Sequence, residues 1–482
     1  MLPKEETAQR ERARSLVERA RALRPTLQLT RDRVQRLDAE ARALARSLPS
    51  WASEERKVPL WELRDDARSA RREEAVLTAR QQELLRAARA EDPTFGVARS
   101  ELAAVLRAAH ERAEARGAEE EAARIEVALR GHDDGVHTAY LDGPARLTLH
   151  TEPVRAQVTI TRLVEHRRRL VPGDFIDLGT TPLESVDLPV GSWVAELRAP
   201  GRLPVVLPIH LPRAAHWDAT APGGAHPVPA WLPTVRDLGP DDVYVPGGWA
   251  LLGGDTEGHD DPPQRVWVDP YVIQRHPVSN ADWAVFLADA AEVPADAEVP
   301  PDHAVVGITL ASARAYAVWL SERTGHRWRL PWEAEWEKAA RGTDGRPFVT
   351  GRFLDPTWAN IRGGHESGAL RAALSDDPKD TSVYGVRSTA GGVRDLCEDR
   401  WDGEGLRVVE GRPVREAAAA DDASVVRGGC WKTGVASARV DRRGKLAGGD
   451  ASDQVGMRLV RSLAQGRSVH SGLGWRLATP DG

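Results

Sequence analysis

Apolar residues divide the chain into three parts with different periods. From residue 4 to about 130 they recur at helical spacing: Leu27, Val34, Leu37, Ala41 and Leu44 share one helix stripe. Pro25 and Pro49 bracket that segment as natural breaks. A second stretch, Ser53 to about Ala90, carries Leu60, Trp61, Leu63, Leu77, Leu84 and Leu85. A third, about Thr94 to Leu129, carries Leu102, Val105, Leu106, Ile125 and Val127, and glycine does not occur before Gly96. Long amphipathic segments with short interruptions predict an antiparallel helical bundle over residues 1–135. Its heptads are too short-lived for a coiled coil with a partner, and its charges read as a solvated outer face.

From about Ala145 the period drops to two, through Leu147, Leu149, Val158, Ile160, Val194, Leu197, Val205, Val206 and Leu207. Pro172-Gly173-Asp174, Pro189-Val190-Gly191 and Pro200-Gly201 separate these runs as turn signals. Short strands between turns predict a small β-sandwich over residues 145–213. Arg167-Arg168-Arg169 projects from this region and reads as solvated loop charge rather than phosphate capture. Residues 214–240, rich in Pro, Gly and Ala, read as a linker to a third part over residues 241–463, followed by a tail over 464–482.

Composition narrows the function classes. At 482 residues the chain is too long for one compact domain. Lys plus Arg total 66 against 72 Asp plus Glu, for a net charge of −6, which argues against a dedicated nucleic-acid binder. No apolar run approaches the ~20 residues of a membrane span, and the N-terminus MLPKEETAQRERARSL lacks a signal peptide's apolar region. The two cysteines, Cys397 and Cys430, form neither a disulfide framework nor a zinc-like spacing, which points to a reducing cytoplasm. Tryptophan outnumbers the other aromatics, 16 against 5 Phe and 5 Tyr, and most of it follows residue 215.

Four ordered blocks carry the third part. They are Val245-Pro246-Gly247-Gly248 through Phe286-Leu287; RWRLPWEAEWEKAARG over 327–342; Tyr384-Gly385-Val386 through Asp399; and Val426-Arg427-Gly428-Gly429-Cys430-Trp431, closing at Gly456-Met457-Arg458-Leu459-Val460. In this order they resemble the formylglycine-generating, or sulfatase-modifying-factor, family. The resemblance implies a multidomain α + β chain whose C-terminal domain has a C-type-lectin-like fold of short strands, two helices and irregular loop. The segment from Leu178-Gly179-Thr180-Thr181-Pro182-Leu183 to Ala199-Pro200-Gly201 resembles PEGA modules, which implies a spacer or binding role. The whole arrangement resembles the region that follows the kinase domain of some bacterial serine/threonine kinases, as a sensor or scaffold half standing alone.

Physical reading of the blocks is structural. Pro331 is expected at a helix start, where its missing N–H costs nothing, with Glu333, Glu335 and Glu337 near the positive end of the helix dipole. Arg427-Gly428-Gly429 suits a strand end where backbones approach closely and the arginine pairs with a carboxylate.

The resemblance also implies chemistry that these residues do not reproduce. Members that oxidise a sulfatase cysteine hold copper with two cysteines just after the RGGS block; here Trp431 to Arg439 contains none, and Cys430 and Cys397 sit at unrelated motif positions. The sulfoxide synthases of the family bind iron through histidines, some from an N-terminal helical domain; this chain has only His110 and His132 there. A calcium site is implied at Asn360, Ile361 and Asp376, with a loop-capping Asn360 as the alternative. His259-Asp260-Asp261 reads as solvated loop. No Walker loop, GxSxG, HExxH or kinase set occurs. The expectation is a non-catalytic binding or regulatory protein, a scaffold or sensor in a signalling or defence system. Its partner would be another protein (a kinase, a protease or another operon product), not nucleic acid and not a membrane. The alternative is a divergent metal-dependent oxidase or oxygenase using Cys430.

Overall fold

The computed structural model describes residues 4–48, 53–115, 118–256, 259–260, 263–290, 300–364, 377–403 and 405–463; the expected tail 464–482 lies outside them. They fall into two units, residues 1–143 and 144–482.

The first unit is helical: α1 Lys4–Ala22, α2 Arg24–Ser47, α3 Glu54–Glu91, α4 Gly96–Ala115, α5 Glu119–His132 and α6 Thr138–Leu141. Ala13, Ala20, Ala88, Ala98 and Ala103 line the contact faces with Leu85, Leu102 and Leu129, so small side chains let the helix axes approach closely. A separate cluster of Leu37, Ala67 and Ala70 joins α2 to α3. Arg31–Glu74 at 2.9 Å and Arg71–Asp38 at 2.6 Å bridge the same two helices. Exposed pairs of this kind contribute about 0–1 kcal/mol each, so alanine and leucine burial dominates. The third expected helical stretch is two helices, α4 and α5.

The second unit opens with a sandwich of strands β1 Ala145–Leu149, β2 Thr151–Glu152, β3 Gln157–His166, β4 Arg169–Thr180, β5 Leu183–Leu188, β6 Gly191–Arg198, β7 Val205–Leu211, β8 His216–Trp217 and β9 Ala230–Trp231. Its sheets run β4-β3-β6-β7 and β5-β1-β8, with β2 paired to β9. Val158, Ile160, Leu197 and Ile209 from one sheet pack with Leu147 and Leu149 from the other. The β3–β4 reversal falls at Arg167-Arg168, with φ of 48° and 64°, and not at Pro172-Gly173-Asp174. A two-residue hairpin turn of this kind needs left-handed backbone at both central residues, which proline's fixed negative φ excludes. Pro172 and Gly173 lie inside β4, where the register slips opposite Thr161 and Leu163.

The expected linker is part of this sandwich. It supplies β8 and β9, and Trp217, Ala219, Ala230 and Leu232 enter the shared core. Two-residue strands carry too little periodicity to be seen in sequence. Tyr244 and Val272, from beyond residue 241, join the same core.

The remainder holds two four-stranded sheets. One orders Asp242–Val245, Tyr271–Gln274, Val460–Ser462 and Trp328–Arg329; the other orders Arg443–Leu446, Ser424–Arg427, Arg394–Arg400 and Val455–Gly456. Helices α7 Asn280–Asp289 and α8 Leu310–Thr324 begin with reciprocal capping pairs, Ser279 with Asp282 and Thr309 with Ser312. Helix α9 Glu333–Arg341 follows Trp332 as its N-cap, so Pro331 stands outside the helix instead of starting it. Among the described residues no helix is long and apolar enough to cross a membrane.

Candidate functional site

All nine residues of α9 are buried, five of them charged. Glu333 accepts from Arg443 Nε at 2.7 Å and Nη2 at 3.0 Å. Glu337 pairs with Arg341 at 2.7 Å, pairs with Arg427, and accepts the Gly253 N–H at 2.7 Å. Lys338 donates to the carbonyls of Pro246 (2.8 Å) and Gly248 (3.1 Å), and burial pulls its ammonium down to about 7. Asp395 accepts from Arg458 Nε and from Trp336 Nε1, each at 2.7 Å, while burial pushes its carboxyl up. Burial, reinforced by Glu333, pushes Asp399 well up. The charged residues of the second and third blocks therefore hold the interior together, since burying such charges demands partners at hydrogen-bond distance.

This frame positions two loops. A Cβ on Gly429 would stand 2.2 Å from the Ala390 carbonyl oxygen, and one on Gly391 2.6 Å from that of Asn360, so both loops need glycine. Asp380 accepts backbone N–H groups from Thr389 (3.0 Å), Ala390 (2.9 Å) and Gly391 (3.0 Å). Burial pushes its carboxyl up to about 6 against those donors. Asp380 was invisible to motif reading because it lies nine to eleven residues from the groups it binds.

Cys430 lies in the fourth block, fully buried, with Sγ 3.6 Å from Thr433 Oγ1 and 3.4 Å from Gln454 Oε1. Cys397 lies elsewhere, in an apolar cluster with Trp336, Ala340, Val425 and Val440, where burial pushes its thiol well up. Copper(I) selects paired soft thiolates; one thiol beside a hydroxyl and an amide oxygen does not fit it. His110 sits in the helical unit with Nδ1 2.6 Å from Tyr140 Oη, and Glu114 and Glu126 each at 3.6 Å. His132 contacts Arg89, a cation that opposes a metal ion beside it. These residues do not fit the iron set either.

For calcium, the Asn360 carbonyl accepts the Gly392 N–H at 2.8 Å and the Ile361 carbonyl accepts that of Gly364 at 3.0 Å. The Ile361 side chain lies in an apolar cluster with Phe348 and Leu354. Asp376 is outside the described residues, as is Asp261 of the His259-Asp260-Asp261 run. His259–Asp260 forms a short strand paired to Asp255–Thr256. Among the described residues no group of three or more His, Cys, Asp or Glu is placed to hold a metal ion.

Where the sandwich meets the C-terminal sheets, Asp344 binds Arg346 at 2.6 Å and also Ser192, whose Oγ is 3.5 Å from His210 Nδ1. Burial pushes Asp344 up, but Arg346 outweighs it and holds the carboxyl at about 2. Burial pulls His210 below the usual imidazole range. The Leu170 N–H donates to the Thr350 carbonyl at 2.9 Å, beside Arg168 over Phe353 at 4.7 Å. Arg167 and Arg168 are exposed, as expected for loop charge, while the Arg168 and Arg169 side chains also lie over aromatic rings.

The family of the sulfatase-modifying factor enzyme 1-like domain matches residues 230–463. The serine/threonine-protein kinase pkn1 of Chlamydia caviae is 25% identical over 248 residues, 46% of this chain and 38% of the kinase. The formylglycine-generating enzyme of Thermomonospora curvata is 26% identical over 224 residues, 34% of this chain and 72% of that enzyme. Hercynine oxygenase of Mycolicibacterium smegmatis is 29% identical over 259 residues, 42% of this chain and 56% of that enzyme. The chain thus spans 38% of the kinase's length and 56% of the oxygenase's. Among solved structures, PvdO from Pseudomonas aeruginosa aligns with 21% identity and a TM-score of 0.40, over 46% of this chain and 94% of that one.

Proposed function

We propose, for a chain whose C-terminal part is a domain of the sulfatase-modifying factor enzyme 1-like family, that it is a non-catalytic binding or regulatory protein. The carrying observation is Cys430: a buried lone thiol beside Thr433 and Gln454, followed by a stretch without cysteine. Oxygen chemistry in this family's manner needs a metal, and the donor set here does not fit copper or iron. What remains is a frame of buried ion pairs that holds irregular loops rigidly, a suitable way to present a surface to a protein partner. Relatives named as serine/threonine-protein kinases support a signalling setting. Intact α9 and glycine loops keep that surface in shape without requiring turnover.

The test is elemental mass spectrometry on the full chain, purified under reducing conditions from cells grown with added copper and iron. Substoichiometric copper and iron are expected. Near-stoichiometric metal, lost on Cys430→Ala, would overturn this reading in favour of a divergent oxidase or oxygenase.

A further inference from the structure

The β3–β4 hairpin turns on two arginines where the backbone demands left-handed residues. Asn and Gly suit such a turn; Arg167 and Arg168, at φ of 48° and 64°, adopt it with strain. Strain held in place by surrounding structure is a pointer to function rather than to packing alone. Arg168 lies 4.7 Å over Phe353, and Trp358 is flanked by Arg169 at 5.6 Å and by Lys379 at 5.8 Å. The two rings meet edge to face at 5.8 Å. A guanidinium stacked on a ring spends its face and keeps its in-plane N–H donors, so stacking orients donors without consuming them. Among the described residues none of these four cations forms an ion pair with a carboxylate. The Asp355 carboxyl is held down chiefly by the Thr357 hydroxyl at 2.7 Å and N–H at 3.0 Å, to which it is committed, and to a lesser degree by Lys379 and Arg168.

We infer that Arg167, Arg168, Arg169 and Lys379 form a receptor for a phosphorylated side chain on a partner protein. Dianionic phosphate offers three acceptor oxygens, which match several neighbouring guanidinium and ammonium donors. Nucleic acid is the poorer fit: Arg168, Arg169 and Lys379 already lie over Phe353 and Trp358, which competes with base stacking. The net charge of −6 also repels a long polyanion while leaving a single phosphate able to reach a local basic cluster. The receptor does not use Cys430, on which the non-catalytic reading rests, so its failure would leave that reading standing.

The test uses the full chain and a fluorescein-labelled peptide of glycine, serine and alanine around one phosphothreonine, against the same peptide with threonine, by fluorescence anisotropy. The phosphorylated peptide is expected to bind at least about tenfold more tightly, a difference of one charge-assisted contact. Arg167→Gly and Lys379→Ala should each weaken it about tenfold. Arg167→Gly should also leave the thermal midpoint unchanged or raise it, because glycine relieves the turn. A packing role for these side chains predicts the opposite pattern, altered stability with unaltered binding. Equal binding of the two peptides, or parental affinity in both variants, would overturn the inference. So would tighter binding of inorganic pyrophosphate or a single-stranded oligonucleotide than of the phosphopeptide.

Discussion

Glu337 stands between two guanidinium groups, those of Arg341 and Arg427, with all three side chains about 1% exposed. Removing one partner from a buried ionic cluster leaves uncompensated charge, which costs about 3–5 kcal/mol. Glu337→Ala should lower the unfolding free energy by about that much in urea titration, with Glu337→Gln closer to the parent because it still accepts a hydrogen bond. Asp344 yields a pH prediction. Its folded-state value near 2 lies below its ordinary 3.8, so its stabilisation is present above 3.8 and is lost as pH falls through about 2. Asp344→Asn should therefore cost about 2 kcal/mol at neutral pH, with the gap to the parent closing below pH 4. Paired denaturant titrations at pH 7 and pH 3 measure it. In the sequence, Arg427 could be read as the partner of some carboxylate, but nothing named Glu337, because the two lie 90 positions apart.

At the scale of elements, caps and close approaches carry the strongest expectations. Thr309 accepts the Ser312 N–H at 3.1 Å at the start of α8, and Thr309→Ala should cost about 1 kcal/mol, read from denaturant midpoints. Gly429→Ala should cost about 1–3 kcal/mol by overpacking, since its Cβ would fall 2.2 Å from the Ala390 carbonyl oxygen. The period-two runs located β1, β3, β6 and β7, because alternation survives in strands with one buried face. Sequence misplaced the β3–β4 reversal, because Pro172-Gly173 is a turn signal that a strand absorbed as an irregularity. Helix α9 showed its position in sequence and hid its surroundings. Three glutamates along nine residues read as partners of the helix dipole, and each is also buried against arginine or backbone N–H donors.

For the whole molecule, the division at residue 143 predicts that residues 1–143, made alone, fold as a helical unit. Far-ultraviolet circular dichroism should show a cooperative thermal transition for that fragment. Residues 144–213 alone should not match the stability they have in the longer chain, because Trp217, Leu232, Tyr244 and Val272 complete their core. By itself the sequence determined the helical, strand and mixed parts, and the ordered blocks of the C-terminal domain. Period, proline and glycine act within a few residues, and those local forces are written directly in the chain. Tertiary structure alone decided that the expected linker is core, that the motif glutamates are internal ion-pair partners, and that Cys397 sits in an apolar cluster while Cys430 sits beside Thr433 and Gln454. It also decided that Arg168, Arg169 and Lys379, from distant segments, lie over Phe353 and Trp358. Such pairings join residues roughly one to two hundred positions apart through burial and charge compensation, which spacing along a chain does not encode.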